Sequence, residues 1–174
     1  MKNIFYPYNI LNEDIYPLFG EQIKGFPHYV DLFKRELTSV SEANEQTFGE
    51  IKKAGKNWGY SGYLENRRQQ LKTMKFNEER RFFHLGLDLY APVGIKLYAP
   101  LDGEIVMREY EDGIGNYGGM IVIRHNINGA VFYSLYGHLS KKSLLGSNST
   151  VKRGEEIGEI GDESENGNWS YHTH

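Results

Sequence analysis

With six histidines and no cysteine, this 174-residue chain can build a transition-metal site only from imidazoles and carboxylates. A thiol nucleophile, a zinc finger and a disulfide framework are excluded. Five residues have the types and spacing for such a site. The first two are His84 and Asp88 in the run His84-Leu-Gly-Leu-Asp88. A helix would stack them on one face, but the neighbouring aromatics, Gly86 and Pro92 argue for extended chain. A straight strand would also put them on one face, yet roughly 13 Å apart, too far to share an ion bonded at about 2 Å. The backbone therefore has to bend between them, and Gly86 is suited to that bend.

His172 and His174 flank Thr173, and strand periodicity sends both imidazoles to one side with Cα atoms roughly 7 Å apart. One of the pair can bind a metal while the other handles a proton. His138 follows Tyr136-Gly137 at the end of an aromatic strand, where the glycine permits close backbone approach, so it is a further acid or base candidate. Each piece alone is a weak signal. Together they offer what catalytic zinc needs, three protein donors and one open position for water. His28 and His125 have blander readings: His125 is a structural or exposed residue ahead of the Asn126 turn, and His28 is incidental.

These residues have to be positioned by a fold that changes character along the chain. Residues 1–80 read as a helical or irregular extension packed on the core, with helical runs expected at His28 to Val40, Ala43 to Ala54 and Ser61 to Met74, the last capped by Ser61. From residue 81 to 174 short β-branched and aromatic runs alternate with Gly, Pro, Asn and Asp, which predicts a mainly β domain with an antiparallel sheet core. Strands are expected at FFHLGLDLY, IKLYA, GEIVMREY, GMIVIRH, AVFYSLYGH, EEIGEIG and NWSYHTH, separated by turns such as Asp102-Gly103, Gly113 to Gly119 and Asn126 to Gly129.

Composition removes several partners. The net charge is -3, with 20 basic residues scattered among 23 acidic ones, so no nucleic acid is expected. No run approaches the roughly 18 to 20 apolar residues of a membrane span, and the interrupted N-terminus is not an export signal. On the sequence as it stands this implies a cytoplasmic location, and we expect a monomer.

The segments HLGLDLYAPVGIKLYAPLDGEIV, GNYGGMIVIRH, FYSLYGHLS and VKRGEEIGEIG, followed by the His172-Thr-His174 pair, resemble in order and spacing the lysostaphin-type (LytM-domain) zinc metalloendopeptidases of bacterial cell walls. The resemblance covers about residues 82 to 174. It implies the lysostaphin/LytM-like β fold of the duplicated hybrid motif type. It also implies one zinc ion on His84, Asp88 and His174, with His138 and His172 beside the attacking water and the developing oxyanion. His125 falls at a strand-end position that is not a ligand in that family. Where the family usually reads His-Leu-His, this chain has Thr173 in the middle.

On that likeness the substrate is the peptide part of peptidoglycan, and the location is the periplasm or cell envelope. A neutral imidazole of His138 or His172 would orient or deprotonate the water, the second would donate to the tetrahedral oxyanion, and the Gly113 to Gly119 turn would wall the peptide groove. Two other readings compete. A degenerate member would keep the fold and bind wall peptides without cutting them, which predicts missing ligands, yet all five positions are filled. A cupin-like barrel also uses an HxH pair but needs a glutamate and a further histidine downstream of it.

Overall fold

Period-two alternation of buried and exposed residues builds the strands, and short Gly and Asn turns connect them. The computed structural model describes residues 14–33, 35, 39–69 and 80–174. Among these the fold is mainly β, with one α-helix and three antiparallel-dominated sheets.

The largest sheet has the order β7-β6-β5-β8, from Gly103–Glu111 (β5), Gly118–Ile127 (β6), Ala130–Leu139 (β7) and Thr150–Val151 (β8). In β6, Ile121, Ile123 and His125 turn inward while Val122, Arg124 and Asn126 are more open. The β6–β7 hairpin turns on Asn128 and Gly129, both at positive φ, the conformation of a tight primed turn. A second sheet pairs Lys96–Tyr98 (β4) with Glu156–Glu159 (β9). The third has the order β1-β2-β3-β10, from His28–Tyr29 (β1), Gly59–Ser61 (β2), Asp88–Tyr90 (β3) and His172–Thr173 (β10); β1 and β2 run parallel and the other pairs antiparallel.

Between the sheets, Leu97, Ala99, Ile121, Ile123, Leu139 and Ile160 are removed from solvent, and Phe19 joins them from the N-terminal part. Each fully buried aliphatic side chain contributes on the order of 1.5–3 kcal/mol, so this cluster is the main source of stability. A smaller cluster of Val30, Leu32, Ile51 and Tyr90 lies under the helix Val40–Lys53 (α1). Ser39 caps α1 by accepting from the Glu42 N–H, and Lys52 and Lys53 in the last turn suit the helix dipole. The same helix reaches the site-bearing end of the chain: the Asn44 side chain accepts the N–H of Tyr171, immediately before β10.

Two of the three expected helices are corrected. In the described part of His28 to Val40 the chain forms β1 and continues extended, burying Val30 and Leu32 at period two while Asp31 and Phe33 face out; only Val40 belongs to the helix. The run from Ser61 begins inside β2, and Ser61 caps nothing, being a fully buried strand residue. Residues 62–69 are turns and a bridge, and the rest of that run lies outside the described residues. The first and last expected strands of the β domain are also shorter, reduced to Asp88–Tyr90 with a bridge at Phe83 and to His172–Thr173. The strand Thr150–Val151 was not foreseen.

Candidate metal centre

Asp88 opens β3, and β10 lies antiparallel beside it, with His172 opposite Tyr90 and Thr173 opposite Leu89. Ahead of β3 the chain bends at Gly86. A Cβ there would stand 2.4 Å from Nε2 of His174, so the glycine provides the space the imidazole occupies. His84 is held before the bend, where its N–H donates to the Glu65 carbonyl and its carbonyl accepts from the Leu64 N–H. His174 is fixed from the other side, since its backbone exchanges hydrogen bonds with Gly137 on β7. The Thr173 hydroxyl also donates to the Gly137 carbonyl, which gives the buried threonine of this HxH pair a polar task.

These elements bring three donor atoms together. Nε2 of His84 and Nδ1 of His174 are 3.0 Å apart, and Oδ1 of Asp88 lies 3.2 Å from the first and 3.3 Å from the second. Atoms bonded at about 2.0–2.1 Å to one tetrahedral ion stand roughly 3.3 Å apart, so the triangle fits a zinc-sized cation. Asp88 is 1% exposed, and its Oδ1 has no hydrogen-bond partner among the described residues. A buried carboxylate oxygen left this way is costly unless a cation meets it. Burial would raise the Asp88 carboxyl, but the Arg67 guanidinium and the nearby imidazoles outweigh it and hold the group well below the usual carboxylate range.

His138 and His172 complete the cluster. Their ring centroids are 4.4 Å apart, and Nε2 of His172 lies 3.5 Å from Asp88 Oδ1. The Nδ1–H of His138 donates to the Asn166 carbonyl at 2.8 Å, and that of His172 to the Ser170 carbonyl at 2.6 Å. Each imidazole therefore keeps a lone pair on Nε2. Burial pushes both below the ordinary histidine pKa, with Asp88 opposing, so both are neutral near pH 7. His138 has a left-handed backbone, φ +61°, which few non-glycine residues adopt.

A sequence profile, Peptidase family M23, matches residues 82–174, more than half of the chain. The chain belongs to peptidase family M23. The peptidoglycan DD-endopeptidase ShyC of Vibrio cholerae serotype O1 is 35% identical to it over 78 residues, 45% of this chain and 16% of that relative. The M23 chain thus spans about a sixth of the length of this curated relative. The family is the one its motifs resemble, and the antiparallel β architecture agrees with it.

The M23 match starts at Phe82, yet the polar surroundings of the site extend upstream of it. The Nδ1–H of His84 donates to the Gly62 carbonyl at 3.3 Å, leaving Nε2 for the cluster. Oδ2 of Asp88 meets Nη2 of Arg67 at 2.7 Å and the Ser61 hydroxyl at 3.4 Å. Gly62 and Arg67 did not stand out in the sequence, and Ser61 was expected only as a helix cap. Tyr117 was missed as well, although the turn that carries it was not: its ring lies 5.2 Å from His174 and 5.7 Å from His138, in space that a side chain at Gly137 would fill. Burial raises its phenol pKa, so it is a neutral donor.

The other two histidines lie apart from the cluster. His125 donates from Nδ1 to the Asp102 carbonyl, accepts the Ser134 hydroxyl at Nε2 and stacks on Phe132, a satisfied structural residue. His28 pairs with Glu50 of α1.

Proposed function

We propose that this M23 chain is a zinc-dependent metalloendopeptidase that hydrolyses peptide bonds in the cross-links or stem peptides of bacterial peptidoglycan. The observation that carries the reading is the buried Oδ1 of Asp88, which has no hydrogen-bond partner among the described residues and faces two imidazole nitrogens at 3.2 and 3.3 Å. His84 Nε2, Asp88 Oδ1 and His174 Nδ1 would hold the ion. When bound, zinc supplies a Lewis acid that acidifies water and polarises a carbonyl.

The chain's own residues supply the rest. His138 and His172 are neutral and held by backbone carbonyls, so a lone pair at Nε2 of either can accept the proton of an attacking water. The Tyr117 hydroxyl, rather than the other imidazole, whose Nε2 carries no proton, can donate to the oxygen on which negative charge develops. The turn bearing Tyr117 forms one wall of the approach to the metal. Exposed Leu85 and Phe83, on either side of His84, and Tyr63 and Leu64, on the segment bonded to it, offer apolar surface to an extended peptide. A wall substrate places the protein at the cell envelope.

The test is to incubate purified peptidoglycan with the metal-free chain, and with the same chain given one equivalent of zinc, and to measure new amino termini and fragment masses. Zinc-dependent release of amines supports the reading. Stoichiometric zinc uptake with intact wall peptides would instead assign the chain to the degenerate, peptide-binding members of the family.

A further inference from the structure

Asp88 presents its two oxygens to two different settings. Oδ1 has no hydrogen-bond partner among the described residues, whereas Oδ2 is taken by Nη2 of Arg67 at 2.7 Å and by the Ser61 hydroxyl at 3.4 Å. Arg67 is 8% exposed and is itself locked: Nη2 also donates to Ser61 Oγ at 2.9 Å, and Nε donates to Glu65 Oε2 at 3.1 Å. Ser61 sits opposite Asp88 in the β2–β3 register and meets the Tyr90 hydroxyl at 3.2 Å. The planar guanidinium thus reaches Asp88 and Ser61 from Nη2 and Glu65 from Nε, a fixed fork that the point charge of a lysine ammonium does not reproduce.

Fastening β2 to β3 does not account for this arrangement. The two strands already pair through Gly59, Tyr60 and Ser61, and a buried ion pair returns little more than its desolvation costs. A carboxylate with both oxygens unrestrained can meet a cation through either or both. With Oδ2 occupied, only Oδ1 is left for it.

We propose that Arg67 is a positioning residue of the metal centre, holding Oδ2 of Asp88 so that Oδ1 alone meets the ion. The inference rests on the zinc reading above and extends it upstream of the family match, so that the working unit begins before residue 82. Together with the Gly62 carbonyl on His84, it makes residues 59–67 part of the centre rather than a packing extension.

The 174-residue chain tests this with Arg67→Met, Arg67→Lys and Ser61→Ala. Zinc affinity is measured by competition with a chromophoric chelator, cobalt(II) replaces zinc for visible absorption spectra, and the metal-free proteins are melted in parallel. Arg67→Met is expected to weaken zinc about 10–100-fold, the usual range for losing a partner of a metal ligand, and to change the cobalt spectrum. Arg67→Lys should recover part of both. Native zinc affinity and a native cobalt spectrum in Arg67→Met, even with a lower melting temperature, would overturn the proposal. If Arg67→Met does not fold, Ser61→Ala decides: weaker zinc binding at an unchanged melting temperature supports the proposal, and native affinity overturns it. A native chain that takes up no zinc overturns the functional reading and this inference with it, whereas zinc uptake unaffected by the substitutions overturns this inference alone.

Discussion

The N–H of Gly137 donates to the carbonyl of His174 at 3.1 Å, and the N–H of His174 donates back to Gly137 at 3.4 Å. This pair of bonds joins β7, one residue before His138, to the residue that brings the third donor atom to Asp88. The two halves of the site, candidate metal donors and neutral imidazoles, are therefore registered to each other through backbone rather than through long side chains.

Gly86 tests how tightly the donors are packed. Alanine at this position suits the local backbone, but its Cβ would fall 2.4 Å from Nε2 of His174 and force the ring aside. Gly86→Ala is expected to weaken zinc about 10–100-fold, as misplacement of a ligand does. Chelator competition measures this, and native affinity would show that the ring moves without cost.

His84 and His138 should separate metal loading from turnover. His84→Ala removes a donor and should abolish stoichiometric zinc, measured by elemental analysis after dialysis. His138→Ala leaves all three donors and should retain zinc while kcat on wall peptides falls by about 10²–10⁴-fold, the range for a lost general acid or base. Full turnover in the second variant would remove His138 from the chemistry.

The histidines were legible before the fold was known because their type is scarce and chemically restrictive: without cysteine, few residues could make a zinc site. The bend at Gly86 was legible from distance alone. Arg67 was not, because in the polar run Glu65-Asn66-Arg67-Arg68 nothing in residue type distinguishes the buried arginine from its exposed neighbour. The strand at His28–Tyr29 was hidden for another reason: Tyr29, Val30, Leu32 and Phe33 satisfy a helical and an extended spacing equally, and pairing with Gly59–Ser61 decides between them. Sheet partners distant in sequence leave no mark in a local pattern. The β5–β6–β7 hairpins were readable because their turns are local.

His125 should give the fold a pH dependence separate from the candidate metal donors. Burial lowers its pKa below the ordinary value of 6.5, the Asp102 carbonyl opposing, so the unfolded chain binds its proton first as pH falls. Its contribution is fully present above pH 6.5 and is lost as pH drops toward the folded pKa. In urea titrations between pH 7.5 and 5.5, His125→Phe should lose less stability than the native chain over the same interval. An identical slope would mean that this imidazole does not resist protonation in the fold.

Leu97 tests the core independently of the site. It is fully buried on β4. Leu97→Ala should cost about 2–5 kcal/mol in denaturant unfolding, the range for such cavities, while the folded fraction binds zinc as the native chain does. A cost below about 1 kcal/mol would mean that the two sheets collapse onto the vacated space.

His138 carries its imidazole on a backbone twisted into the glycine region, and such a residue costs on the order of 1–3 kcal/mol. Selection for heat resistance alone would favour glycine there. If His138 acts as proposed, the histidine at that address exchanges robustness for reactivity.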